Sequence, residues 1–185
     1  MKKLLVGICA LVAVTSMSFA QDLNSAAADQ EVVAYKGDKA SWPVWLAFNS
    51  TDNIDVIGLR LTLPYGACED LTGIDLGVFG RCRYMYGVQA NVLRNEVTDF
   101  GGGFQVGVYN TMGRADEFSC QIGLWNEANR FYGFQVGAIN VCDEGTGFQV
   151  GLINRAEGFY GFQIGAINVI RGGDFKFIPV INFGF

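Results

Sequence analysis

Four segments of this chain are near copies of one another: Gly103–Asn110 (GFQVGVYN), Gly133–Asn140 (GFQVGAIN), Gly147–Asn154 (GFQVGLIN) and Gly161–Asn168 (GFQIGAIN). Ser119–Asn126 (SCQIGLWN) is the same motif with two changes, and the asparagines Asn110, Asn126, Asn140, Asn154 and Asn168 are spaced by 16, 14, 14 and 14 residues. A repeat this short cannot bury its own apolar side, so it must pair or stack with its neighbours. That rule constrains the fold more than any other feature of the sequence. Each unit carries a glutamine in one column, at Gln105, Gln121, Gln135, Gln149 and Gln163. Backward, Gln89, Asp75 and Arg60 continue that column, and Trp42–Asn49 reads as a degenerate first copy. Forward, Phe175–Asn182 keeps Asn182 but places Phe177 and Pro179 in the Gln and second Gly columns. The frame gives about ten units over residues 31–185.

Within a unit the pattern alternates with period two, which with Phe, Val and Ile is a strand signal. Phe134, Val136, Ala138 and Asn140 are expected on one face, and Gly133, Gln135, Gly137 and Ile139 on the other. Apolar residues two places past the asparagine (Ala128, Cys142, Ala156, Ile170) extend the first face. The fold class is all-β. The preferred architecture is an antiparallel meander closed into a β-barrel of about ten strands, each long enough to cross a bilayer. Pairing about Glu157 would set Gln149 against Gly165 and Phe148 against Ala166, with Gly158 and Gly172 as left-handed hairpin residues. Arg60 and Asp75 would then form an ion pair in the lumen, and Tyr132, Phe159 and Tyr160 would lie near the membrane interface. The alternative is a parallel β-solenoid, one unit per coil, with ladders of Gln and Asn along its axis. Steps of 15 and 16 residues count against uniform stacking. The prolines Pro43, Pro64 and Pro179, all in end units, count against closure.

Residues 1–20 read as a secretory signal peptide: Lys2 and Lys3, an apolar run from Leu4 to Val14, then Ser18-Phe19-Ala20 as a cleavage site. Residues 21–30 are small and polar and read as a flexible lead-in. Thirteen basic and 18 acidic residues give a net charge of −5, which becomes −7 once Lys2 and Lys3 are removed. Such a chain has no electrostatic attraction for nucleic acid. Histidine is absent, and Cys68, Cys82, Cys120 and Cys142 fit no zinc knuckle, so neither a metal nor a cofactor is expected. These cysteines read as small apolar residues at repeat positions.

No segment offers convincing catalytic chemistry. Gly101-Gly102-Gly103 lacks the Lys-Ser/Thr and helix of a phosphate loop and reads as a turn. Asp52, Asn53 and Asp55 have the opening spacing of a calcium loop without its glycine and distal glutamate. Asp116-Glu117 and Asp143-Glu144 read as solvated charges between units, where no cleft would shift a pKa. Trp45, Trp125, Tyr109, Tyr132 and Tyr160 read as packing or strand-end residues rather than a glycan-stacking strip.

The tandem Gly-x-Gln-x-Gly-x-x-Asn units and the terminal Phe177–Phe185 (FIPVINFGF) resemble the bacterial surface-repeat proteins of the spirochaete type, over residues 55–185. The terminal Phe185 also resembles the C-terminal signal of outer-membrane barrels. The resemblance implies an exported outer-membrane or surface protein of undefined biochemical role, with no catalytic residues to carry over, and the leading reading is a structural one. A barrel would have membrane lipid and its assembly machinery as partners. The rival is a secreted or surface-anchored solenoid that binds a protein or glycan, and a weaker third reading is a small pore.

Overall fold

The computed structural model describes residues 41–47, 50–51 and 55–185. The signal peptide, the lead-in, the start of the repeat domain, and Asp52 and Asn53 lie outside the described residues. Seven strands follow in order: β1 (Ser41–Ala47), β2 (Ser50–Thr51), β3 (Asp55–Val106), β4 (Tyr109–Val150), β5 (Ile153–Gly165), β6 (Ile167–Ile170) and β7 (Val180–Gly184). β3 and β4, 52 and 42 residues long, are far longer than a straight strand of a domain this size can be. They coil, and successive turns of the same strand lie side by side.

Every pairing from β1 to β6 is parallel and, from β3 on, follows the repeat; β1 sets Trp45, not Val44, beside Arg60, one place from the expected frame. Gly147 pairs with Gly161, Phe148 with Phe162, Gln149 with Gln163 and Asn140 with Asn154. The fold is therefore a parallel β-solenoid. The antiparallel barrel is overturned: Gln149 lies on Gln163, not opposite Gly165, and Phe148 lies on Phe162, not Ala166. The physical reason is the amide side chain. A glutamine facing a glycine in a closed, narrow interior has no partner for its N–H groups, whereas a glutamine stacked on its own copy one coil away does. The longer steps do not break the stack. In the β3–β4 pairing they are absorbed at two irregularities: β3 takes an extra residue between Val97 and Phe100, and β4 takes extra residues between Ala115 and Ser119. The triglycine expected to turn thus runs within the strand.

Two corners shape each coil. At the first, Gly147 (φ 131°) and Gly161 (φ 138°) adopt a backbone closed to other residues, and a Cβ on Gly161 would run into the carbonyl oxygen of Gly147. Gly158 and Gly172, assigned that role by the hairpin reading, are not left-handed. The second corner interrupts the strands at residues 107–108, 151–152 and 166. It shifts the alternation by one place. Asn140 therefore points inward with Gln135, and so do Ala128, Cys142, Ala156 and Ile170, all expected on the opposite side.

The interior has a polar flank of Gln and Asn and an apolar flank. Large and small residues alternate along the latter, with Phe131 and Phe159 on either side of Gly145. A Cβ on Gly145 would strike the Phe159 ring. Each coil touches only its neighbours, so the ends need caps. At the C-terminal end β7 reverses and pairs antiparallel with β5, setting Asn182 against Gln163 and Phe183 against Phe162. Pro179, which cannot donate to a ladder, sits just before it.

Candidate functional site

The polar flank is built from two amide ladders of opposite direction. In the first, Gln163 donates to Gln149 (2.7 Å), Gln149 to Gln135 (2.6 Å), Gln135 to Gln121 (2.7 Å), Gln121 to Gln105 (2.7 Å) and Gln105 to Gln89 (3.0 Å). In the second, Asn95 donates forward to Asn110, Asn110 to Asn126, Asn126 to Asn140 and Asn140 to Asn154, all at 2.8 Å, and Asn154 to Asn168 at 2.7 Å. All these side chains are fully buried. Most of the remaining N–H groups hold backbone or a thiol: Asn140 reaches the Val150 carbonyl, Gln121 the Glu127 carbonyl and Gln149 the Cys142 sulfur. Opposed directions cancel much of the dipole that either ladder alone would build along the axis.

Both ladders end on Asp75. Gln89 approaches its Oδ2 at 3.5 Å, and Asn91 donates to the same oxygen at 2.7 Å while also donating to Asn95. Thr62 donates to Oδ1 at 2.7 Å. From the next coil outward, Arg60 clamps both carboxylate oxygens, at 2.9 Å from Nε and 2.7 Å from Nη2. Arg60 and Asp75 are completely buried, stacked in one column of a filled interior rather than diagonal in a lumen. Burial alone would pull the Arg60 pKa down, but the hydrogen bonds and charge of Asp75 outweigh it and hold the guanidinium above its ordinary value.

Asn91, Asn95, Thr62 and Gly80 complete this junction and escaped the sequence reading. A Cβ on Gly80 would collide with the Asn91 amide and the Asp75 carboxylate, so Gly80 vacates the space that Asn91 fills. The signal was there for one of them: counting 15 residues back from Asn110 lands on Asn95.

The buried thiols lie along the opposite flank. Burial pushes the Cys68 thiol up to about 11 and Cys142 up to about 12, and it also raises Cys82 well above its ordinary value, with the nearby Cys68 adding to the shift. Cys120, half-buried, is raised by burial alone. All four are free thiols, protonated at neutral pH and so poor nucleophiles. Among the described residues no three carboxylates or thiols converge as a metal would require.

The outside of the coil is divided by chemistry. One face carries three apolar columns, represented by Phe148, Val150 and Leu152 in one coil. Phe134 stacks on Phe148 with centroids 5.1 Å apart and planes 7° from parallel, and Phe148 stacks on Phe162 at 5.7 Å and 17°. An open groove runs along the axis between the Val150 and Leu152 columns, floored by Gly137 and Gly151. Charges are confined to the other sides, where they pair between coils: Arg83 with Asp99 (2.6 Å), Arg130 with Glu144 (3.3 Å) and Arg171 with Glu157 (3.0 Å). Such exposed pairs contribute little individually, though the hydrogen bond from Arg83 does hold Asp99 below its ordinary value.

The aromatics do not form one strip. Tyr109 packs on Trp125 (6.2 Å) away from the apolar face, with burial and the Glu127 carboxylate raising the phenol's pKa. Tyr132 and Tyr160 line the rim near the first corner, against Phe118 and Phe185. The side chain of Trp45 lies outside the described residues. Phe185 is exposed and its ring joins Phe162, Tyr160 and Phe183 at the C-terminal cap. The columns that would line a pore are packed solid with glutamine and asparagine, so the described coils leave no lumen and the pore reading falls with the barrel.

No family model matches the chain, and comparisons with curated proteins and with solved structures found no match either.

Proposed function

We propose that this protein is an exported, non-enzymatic β-solenoid module of the bacterial cell surface, whose task is to present regularly spaced side chains to another macromolecule. The observation that carries this reading is the division of labour between inside and outside. The polar groups of the repeat are largely consumed in its own ladders, with both columns closed on Asp75 at one end and the asparagine column closed on the Ile178 carbonyl at the other. The variable chemistry faces outward at a fixed coil spacing. Extended binding surfaces of this kind are what repeat folds supply. Export rests on the charge, apolar run and small-residue order of residues 1–20, and the surface location rests on the resemblance of the repeat to the spirochaete-type family. A solenoid does not close its edges as a membrane-spanning barrel does, which supports protein or glycan as the partner class.

The test is expression of the full chain with a C-terminal tag in a bacterium that has an outer membrane. The expected result is a mature N-terminus at Gln21 by mass spectrometry, and labelling of intact cells by a membrane-impermeant amine reagent. An uncleaved chain recovered in the cytoplasm would overturn the reading.

A further inference from the structure

The apolar face is too large and too regular to be left in water. Its middle column runs from Leu46 to Ile181 through about ten paired strands, with no charged side chain on it. Val136, Val150 and Ile164 in this column are 40 %, 39 % and 42 % exposed. With strands ~4.8 Å apart and ~3.3 Å per residue, the face measures roughly 45 Å by 15 Å, or about 700 Å². The largest apolar patch on an ordinary monomer is about 300–600 Å². Two such faces in contact would bury about 1,400 Å², inside the range of roughly 1,200–2,000 Å² that stable specific complexes use.

We propose that a second copy of this chain covers the face, with the two solenoid axes antiparallel about a two-fold. Three observations favour a second copy. The chain is acidic overall, with 18 acidic against 13 basic residues, so a face free of charge is where two copies meet with the least repulsion. The same acidity disfavours a lipid surface rich in anionic headgroups. The third column, beside the axial groove, alternates in size by coil: Leu124, Ala138, Leu152, Ala166. Leu124 and Leu152 stand out at 62 % and 65 % exposure, while the alanines leave recesses. Reversing the axis about a point between the coils of Ala138 and Leu152 sets Leu124 over Ala166 and Leu152 over Ala138, and each contact recurs by symmetry. A two-fold interface must be complementary to itself in this way. A parallel two-fold, along the solenoid axis, would instead turn the third column over the Phe148 column and give no leucine-on-alanine match.

This inference stands on geometry and is independent of where the protein resides: a chain kept in the cytoplasm would dimerise too. Sedimentation equilibrium of the mature chain at micromolar concentration is expected to give a dimer. Val136→Lys/Val150→Lys should give a monomer with an unchanged β circular-dichroism spectrum, because both residues point outward. The milder Leu124→Ala/Leu152→Ala should weaken dimerisation by at least about tenfold while keeping the fold. In a Cys120→Ser background, a mixture of Ala138→Cys and Leu152→Cys chains should cross-link to each other more readily than either alone. A monomeric wild-type chain would overturn the proposal, as would co-flotation of monomer with phosphatidylcholine vesicles or a dimer indifferent to the two lysines.

Discussion

The coils from Ser119 to Asn168 and those from Arg60 to Asn95 share one backbone but hold it together differently. In the first region every step is 14 residues and the interior is a uniform run of neutral amides, each bonded to a copy in a neighbouring coil. In the second, the glutamine column gives way to an aspartate and an arginine, and a glycine and an asparagine exchange places at Gly80 and Asn91. The uniform region is redundant, because losing one rung leaves the others intact. The N-terminal junction is not: five donors converge on one carboxylate, and nothing else among them can neutralise Arg60. Stability in a stack of coils is therefore concentrated where the repeat is least regular.

The largest effect expected from this contrast is at Asp75. Asp75→Ala leaves a buried guanidinium without its counter-ion and two ladders without an end, and should cost about 3–5 kcal/mol in denaturant unfolding. A cost near that of a single ladder rung would remove the distinction between the regions. Next is the glycine corner. Gly147→Ala places a Cβ against the Gly133 carbonyl in a backbone that tolerates only glycine, and should cost about 3 kcal/mol. Gly158→Ala meets nothing within 4 Å, and thermal melts should find it neutral or stabilising by up to about 1 kcal/mol. Equal losses at the two sites would contradict the corner assignment.

Within the ladder, Gln135→Ala strips a donor from Gln121 and an acceptor from Gln149, and should cost about 2 kcal/mol. Gln163→Ala, at the end of the ladder where its own Oε1 has no partner, should cost about half as much.

The smallest effect is one of pH. Cys68 and Cys142 titrate near 11 and 12 in the folded chain against an ordinary value of 9.0, so above pH 9 the unfolded chain releases protons that the folded chain retains. Stability should then fall as pH rises, by on the order of 1 kcal/mol per thiol at pH 10. The Cys68→Ala/Cys142→Ala chain should lose much of that slope, and an unchanged slope would show that these thiols do not stay protonated in the fold.

How much of this was legible in the sequence differs by residue. Phe148 and Val150 facing out while Gln149 faces in follows from alternation alone. The direction of pairing does not, because Val150 lies beside Ile164 in both the hairpin and the coil. What separates them is the fate of Gln149, since an amide set on its own copy has a partner and an amide set on glycine has none. That argument needs only the sequence, and it points to the solenoid. Asn140 was misplaced because period-two alternation cannot show a corner that adds a half-step between Gly137 and Asn140. The junction at Asp75 was half visible. Arg60 and Asp75 stand out as charges in a glutamine column, but Asn91 and Gly80 acquire meaning only when two coils are seen together.

Everything here depends on parallel, in-register coils, and two residues tell them apart from hairpins. In the coil Phe148 lies beside Phe162, while Ala166 is four residues further along, about 13 Å away. With Cys120 replaced by serine and the chain dilute, a short bismaleimide should close Phe148→Cys/Phe162→Cys into a monomer carrying one linker, and leave Phe148→Cys/Ala166→Cys open. Ready closure of the second pair but not the first would show neighbouring units running antiparallel and would contradict the solenoid.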